Sequence, residues 1–215
     1  NLYPLILVVD VSVEITMLAR LSGIPTIVIM QHGKRVDLAH LSAYESAEKL
    51  IAPFSEDMYN GENGWVKNKT VFTGGFSRFD GRMPVVKVIK KKIAILIGAG
   101  GTSIDSNVVN HIALQCKSFE FHVFGEVYHP DQKPVNVTYH RYCSDPFDEI
   151  SSSYIIIGNT GHNTVMEVAS LNKRFVGIPE PRPFFEQDDK ALSITGRAGI
   201  EILAPEEIFN KNWFS

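Results

Sequence analysis

The chain of 215 residues predicts an α/β fold built on open, mostly parallel sheets. Two observations carry that expectation. Short, continuous apolar runs recur from end to end, as strands buried on both faces require, and amphipathic segments alternate with them. Such alternation implies right-handed strand–helix–strand units. A composition that is 44% hydrophobic supplies core for one or two domains, and a net charge of −3 gives no support to a nucleic-acid surface.

In the first half, strands are expected at Leu5–Val9, Thr26–Met30, Lys49–Ala52 and Thr70–Phe72. Val13–Leu21 reads as a helix closed by Gly23 and Pro25, and Leu38–Glu48 as a second one. The polar, glycine-bearing "SEDMYNGENGWVKNK" reads as loop. From Gly74 to Lys92 the pattern loses its period and gathers Pro, Gly and lysines, so residues 81–92 are the expected linker between a unit at 1–80 and one at 93–215.

The second half starts afresh, with strands expected at Ile93–Ile97, Glu120–Phe124, Asn136–Tyr139, Tyr154–Ile157, Phe175–Gly177 and Gly199–Ile202. Helices are expected over Ser103–Cys116, Pro146–Ser152, Asn163–Leu171 and Gln187–Gly196. Cys116 and Cys143 stand far apart, in no metal-ligand spacing, and imply reduced thiols and a cytoplasmic setting. No segment has the length of a membrane span. Lys90-Lys91-Lys92 reads as a strand start or solvated linker, with a peripheral contact to an anionic inner membrane face as the alternative. His111, His122, His129 and His140 share no spacing and read as structural or surface residues, and no Asp-x-Asp or other metal cluster is visible. The chain starts at Asn1, close to its first strand, and its last residues open a helix pattern, which suggests a piece of a longer protein.

Ligands of open parallel sheets bind at the carboxyl ends of the strands, so the loops after the second-half strands carry the search. In "GAGGTS" the strand runs into Gly98, Gly100 and Gly101, then Thr102 and Ser103 at the expected helix start. This composition serves a tight turn as well as an anion seat made of backbone N–H groups. It lacks the later glycine of a dinucleotide fingerprint and the Lys of a P-loop, which argues against a Rossmann-type oxidoreductase. In "GNTGHNTVMEVAS", Asn163 and Glu167 lie four apart on one helix face, with Val165, Val168 and Ala169 free to face the sheet. Taken alone, Glu167 reads as a surface residue and Thr160 or Asn163 as a cap. A third loop, "PEPRPFFEQDDKA", places Glu186, Gln187 and Asp188 at a helix entry.

The order of these loops resembles the carboxyl-terminal domain of GT-B glycosyltransferases. The nearest group is the one containing the peptidoglycan N-acetylglucosaminyltransferase (family 28 carboxyl-terminal domain) and related sugar-nucleotide hydrolases. The resemblance covers about the last two-thirds of the chain, with its best match over Gly158–Ala191. It implies two Rossmann-like open parallel-sheet domains, the amino-terminal one incomplete, since the family's glycine-rich acceptor-side loop would precede Asn1. It also implies a nucleotide diphosphate sugar as donor, UDP-linked and carrying N-acetylglucosamine in the nearest group, with no metal and no cofactor beyond that donor. On this chain Gly100, Gly101, Thr102 and Ser103 would face the diphosphate. Gly161, His162, Asn163, Thr164 and Glu167 would hold the nucleoside end, with Glu167 on the ribose hydroxyls, and Gln187 and Asp188 would contact the donor sugar. The stretch "FFEQDDKA" departs from the histidine or paired glutamines usual there, so the resemblance does not fix the sugar. The resemblance further implies an acceptor in cell-envelope or polysaccharide synthesis, which would be a glycan, a lipid-linked or a small molecule. A hydrolase or epimerase on the same fold, or a non-catalytic nucleotide-sugar-binding subunit, would carry the same motifs.

"PTIVIMQHGKRVDLAH" resembles the end of a GT-B amino-terminal domain. Gln31, His32, Arg35 and Asp37 follow the strand directly, at the ligand edge, and His40 lies one turn further on. A histidine there can take a proton from an acceptor hydroxyl. His32 with Asp37 is the expected catalytic pair, Asp10 the second candidate, and Gln31 and Arg35 the acceptor-side contacts. For any one of these positions an ordinary loop hydrogen bond is the competing reading.

Overall fold

The computed structural model describes residues 6–84, 87–98, 100–140 and 143–213. Asn1 and Leu5, residues 85 and 86 of the expected linker, and Ala99 of the glycine-rich turn lie outside the described residues. Contacts divide the chain into two units: one holds Asn1–Phe76 with Arg182–Ser193, the other Ser77–Pro181 with Ile194–Ser215. The segment 182–193, which the sequence pattern joins to the carboxyl-terminal domain, thus groups with the first unit, and residues 77–92 group with the second.

The first unit is a four-stranded parallel sheet in the order β1-β2-β3-β4. Its elements are β1 (Leu7–Asp10), α1 (Val13–Leu21), β2 (Thr26–Ile29), α2 (Leu38–Ser46), β3 (Lys49–Ala52), α3 (Gly64–Lys69) and β4 (Thr70–Phe72). Helix α1 starts where the Ser12 side chain accepts from the Ile15 N–H, and α2 where Asp37 accepts from that of His40. The stretch expected to be loop contains α3. Its composition is polar, yet two parallel strands need a crossover between them, and burial of Val66 anchors one short turn of helix there. Leu50, Ala52, Phe54 and Ala43 are almost wholly buried at the centre of this unit.

In the second unit six parallel strands run β10-β9-β8-β5-β6-β7. They are β5 (Ile89–Leu96), β6 (Glu120–Phe124), β7 (Val137–His140), β8 (Ser153–Asn159), β9 (Arg174–Ile178) and β10 (Ile200–Ile202). Connecting helices are α4 (Ser106–Gln115), α5 (Phe147–Ser152) and α6 (His162–Ser170). A last helix, α7 (Glu186–Ile194), follows β9 in the chain but groups mainly with the first unit. One face of the sheet packs Ile93, Ile95, Phe121, Val123 and Val137 against Val108, Val109 and Ile112 of α4. Strand order reverses between β5 and β8, so the ends of these two strands mark the position where a parallel sheet opens a crevice.

β5 begins at Ile89, four residues before the apolar run, so the lysine run is strand and not linker. Lys92 is buried, with its ammonium on the Glu149 carboxylate and 2.8 Å from Ser152 Oγ. The histidines of the neighbouring strands are not isolated: His122 Nδ1 lies 2.9 Å from His140 Nε2, and their ligand atoms converge with that of Glu149 within 4.8 Å. The cation already beside Glu149 is Lys92. Burial holds both imidazoles below their ordinary pKa, and Lys92 pushes the same way. Removing the carboxylate leaves a buried ammonium without its counter-charge. Glu149 is 41% exposed, so solvent shares that cost, and Glu149→Gln is expected to destabilise the second unit by about 1–2 kcal/mol, read from the urea midpoint of the corresponding unfolding transition.

Candidate functional site

Two sites emerge, one in each unit. In the first, the chain leaves β2 at Met30 and passes Gln31, His32 and Gly33. Gly33 has φ +106°, and a Cβ there would stand 2.6 Å from the Phe184 carbonyl oxygen. Only glycine allows that approach, and it lets Lys34 N–H donate to the same oxygen at 2.7 Å. The partner turn is itself strained, since Phe184 and Phe185 both adopt positive φ (60° and 56°). Non-glycine residues persist there only where surrounding contacts over-determine them. Here those contacts lead directly into α7, which brings Glu186, Asp189 and Lys190 to the β2 loop.

The consequence is a buried histidine–carboxylate pair. His32 Nδ1 lies 3.4 Å from Asp189 Oδ2, which also accepts from Gly33 N–H at 2.9 Å, while Asn60 Nδ2 donates to Oδ1 at 3.3 Å. Burial alone would raise the Asp189 pKa, but the bonds from His32, Gly33 and Asn60 overcome it and hold the carboxyl at about 2. His32 is pulled down by burial, with Asp189 acting in the opposite direction, so the ring is neutral at neutral pH. Its Nδ1 faces the Asp189 carboxylate, and Nε2 is buried with no hydrogen-bond partner among the described residues. The ring rests on Phe54 at 4.0 Å and lines a cleft of about 300 Å³ with Gln31, Tyr44, Tyr59 and Asn60. Lys190, fully buried above Phe54, is driven down to about 7 by desolvation.

The expected pairing of His32 with Asp37 is corrected. Asp37 caps α2, and its second oxygen takes His40 Nδ1 at 2.7 Å, so its hydrogen-bonding capacity is spent locally. Arg35, expected to meet a ligand, is buried against Phe184, with donors on Gln31 Oε1, the His32 carbonyl and Glu186 Oε2. Asp10 is exposed at the end of β1, next to Val11 with its φ of 71°, and is not among the residues lining the cleft.

In the second unit a cleft of about 320 Å³ opens at the β5/β8 switch point. Leu96, Ile97 and Gly98 at the end of β5, Phe124 and Gly125 after β6, and Asn163, Thr164 and Glu167 of α6 line it, with Arg78 and Cys143. Gly125 has φ +115°, and a Cβ would meet the Ile97 carbonyl at 2.3 Å, so the wall requires glycine. Gly161 caps α6 and brings no side-chain oxygen to its first-turn N–H groups, and the first turn has no acidic residue. Neither Thr160 nor Asn163 is the cap. Val165, Met166 and Val168 are buried, and Ala169 is exposed. Glu167 faces the cleft with 13% of its side chain exposed, and Arg78 Nε donates to it at 2.8 Å. Desolvation raises its pKa, with Arg78 opposing. Arg78 lies in the aperiodic stretch after Gly74, where a lone arginine carries no signal of its role.

The glycine-rich turn differs from expectation. Helix α4 begins at Ser106, capped by its own Asp105, and not at Ser103. Thr102 and Ser103 instead donate to Glu180 Oε1. Gly100 and Gly101 are exposed. Gln187 and Asp188 lie on α7 in the first unit and do not line the second unit's cleft.

Residues 71–210 match the glycosyltransferase family 28 C-terminal domain. The chain belongs to this family. No curated protein sequence gives a significant match to the family 28 chain, but its fold matches solved glycosyltransferases. The glycotransferase of kitacinnamycin aligns at a TM-score of 0.69 and 12% identity, over 100% of this chain and 69% of that one. Spinosyn rhamnosyltransferase SpnG gives 0.74 and 13%, over 98% and 62%; its complex with thymidine diphosphate gives 0.62 and 12%, over 97% and 62%. Acinetobacter baumannii MurG gives 0.59 and 20%, over 91% and 59%. These identities establish a shared fold, that of the two-domain GT-B class. The family 28 chain spans about 60–70% of the length of these structures. Among its described residues no helix is long and apolar enough to cross a membrane.

Proposed function

We propose that the protein is part of a glycosyltransferase that moves a sugar from a nucleoside diphosphate donor to an acceptor hydroxyl. The observation that carries this reading is the cleft at the β5/β8 switch point, with a mostly buried carboxylate, Glu167, on one wall and an α-helix amino terminus beside it. A vicinal diol suits the carboxylate, and a phosphate suits N–H groups at the positive end of a helix dipole. Phe124 and Gly125 line the same cleft, and an aromatic face of this kind suits a flat base. SpnG, a similar fold, has been captured with thymidine diphosphate, which supports the same class of donor here. The uridine nucleotide and N-acetylglucosamine that the family resemblance implies are the first donor to test. An envelope glycan or lipid-linked acceptor, and contact with the inner membrane face, belong to this proposal as well.

The first unit would supply the base. Neutral His32, held by Asp189 through Nδ1, presents Nε2 as the acceptor of a hydroxyl proton. The deprotonated oxygen attacks the anomeric carbon, the bond from that carbon to the diphosphate oxygen breaks, and the nucleoside diphosphate leaves with the electron pair. Asp189 stabilises the imidazolium formed. If the attacking oxygen is that of water, the same residues would give a hydrolase.

Calorimetry with uridine, thymidine and guanosine diphosphates tests the donor seat. Binding of at least one, lost with Glu167→Ala, is the expected result, and no heat with any of the three would end the proposal. Incubation with a panel of nucleotide sugars, with and without acceptor, then separates transfer from hydrolysis.

A further inference from the structure

Glu180 follows β9 and is 6% exposed. One of its oxygens, Oε1, collects donors from two separate strand ends. Ser103 N–H reaches it at 2.6 Å, Ser103 Oγ at 2.7 Å, Thr102 Oγ1 at 3.3 Å and Asn159 Nδ2 at 2.9 Å. Asn159 is buried too, and its amide also donates to the Ile178 carbonyl at 3.1 Å. The backbone and hydroxyl donors of the glycine-rich turn therefore already hold an anion, supplied by the protein.

Charge-assisted bonds of this kind are about twice as strong as neutral ones, and a buried carboxylate moved off its donors would carry its full desolvation penalty. A phosphate arriving at Thr102–Ser103 would have to evict Glu180 or lie against its charge. The first turn of α6 presents the opposite situation, with a glycine cap, no acid, and Asn163 and Thr164 on the cleft wall. We propose that the buried Glu180 carboxylate locks the Thr102–Ser103 turn to the ends of β8 and β9, so that a donor diphosphate is received at α6 and not on the turn. Only the identity of the ligand as a donor rests on the reading above; the role of Glu180 and the place of the anion seat do not. Glu180 is thus a positioning residue, and through its charge it sets how much negative charge the seat accepts.

The test combines amide NMR with calorimetry on the full chain, using inorganic diphosphate, uridine and uridine diphosphate as probes. Inorganic diphosphate should shift the amides of Asn163 and Thr164 and leave those of Thr102 and Ser103 in place. Thr102→Ala/Ser103→Ala should keep uridine diphosphate affinity within twofold. Glu180→Gln retains an acceptor oxygen and removes the charge, so it should tighten uridine diphosphate severalfold and leave uridine unchanged. A tenfold loss in the double variant, or diphosphate shifts centred on Ser103, would overturn the proposal by making the turn itself the seat. Equal effects of Glu180→Gln on nucleoside and diphosphate would reduce Glu180 to a structural residue. Binding of inorganic diphosphate at α6 without any nucleotide affinity would remove the donor reading and keep this one. Absence of all diphosphate binding would remove both.

Discussion

Glu167→Ala weakens nucleoside diphosphate binding about 100-fold while the melting temperature stays close to that of the parent protein: this is the largest expected effect on the second unit. A hydrogen bond to a charged group contributes about 1.5–3 kcal/mol, and two ribose hydroxyls on one carboxylate, each at the low end of that range, give about 3 kcal/mol, a factor of somewhat over 100. The side chain is mostly buried on the cleft wall and its pKa is raised by desolvation, so its bonds form away from bulk water. The fold loses little, because Glu167 contacts exposed Arg78 and contributes nothing to the core beneath Val165 and Val168. Nucleotides lacking the 2′-hydroxyl locate the effect. The penalty of Glu167→Ala should shrink by about half with the 2′-deoxy ligand. Equal penalties for both ligands would place Glu167 away from the ribose.

In the first unit, His32→Gln should lower kcat by 10²- to 10⁴-fold, the usual contribution of a positioned base, with the acceptor KM changed little. Asp189→Asn has a sharper signature. Burial lowers the His32 pKa and Asp189 raises it. Activity needs the neutral ring, so kcat should climb with pH through a value below the ordinary 6.5. Without the carboxylate that value falls further, which moves the acid limb of the profile to lower pH, while kcat itself drops because the imidazolium loses its stabilising charge. A profile that does not move in Asp189→Asn would separate this pair from the chemistry.

Much of this architecture is legible in the chain. Strands buried on both faces announce themselves as apolar runs, and the segments around Thr26, Lys49, Glu120 and Phe175 lie where that pattern places them. The cleft wall is legible too, since Asn163 and Glu167 share one face of α6. Contacts made at long range are not. Gly33 and Asp189 stand 156 positions apart, and nothing in "QHGKRVD" distinguishes a histidine that finds Asp189 from one that finds Asp37. The nearer acid was the wrong one because capping α2 had already claimed it. Glu180 carries no pattern, for a carboxylate after a strand looks like solvated loop until two hydroxyls, a backbone N–H and a side-chain amide converge on it. Helix α3 is hidden for another reason: its residues favour a turn, and one buried valine with the demands of a parallel crossover outweighs them.

The return of residues 182–193 to the first unit has a bearing on how the protein comes into being. When β1 to β4 have left the ribosome, His32 still has no carboxylate and Gly33 no Phe184 carbonyl to pack against until more than a hundred further residues emerge. The amino-terminal half must therefore wait, incompletely closed, while the other half is synthesised. A recombinant fragment cut after Phe76 would keep that unfinished state permanently.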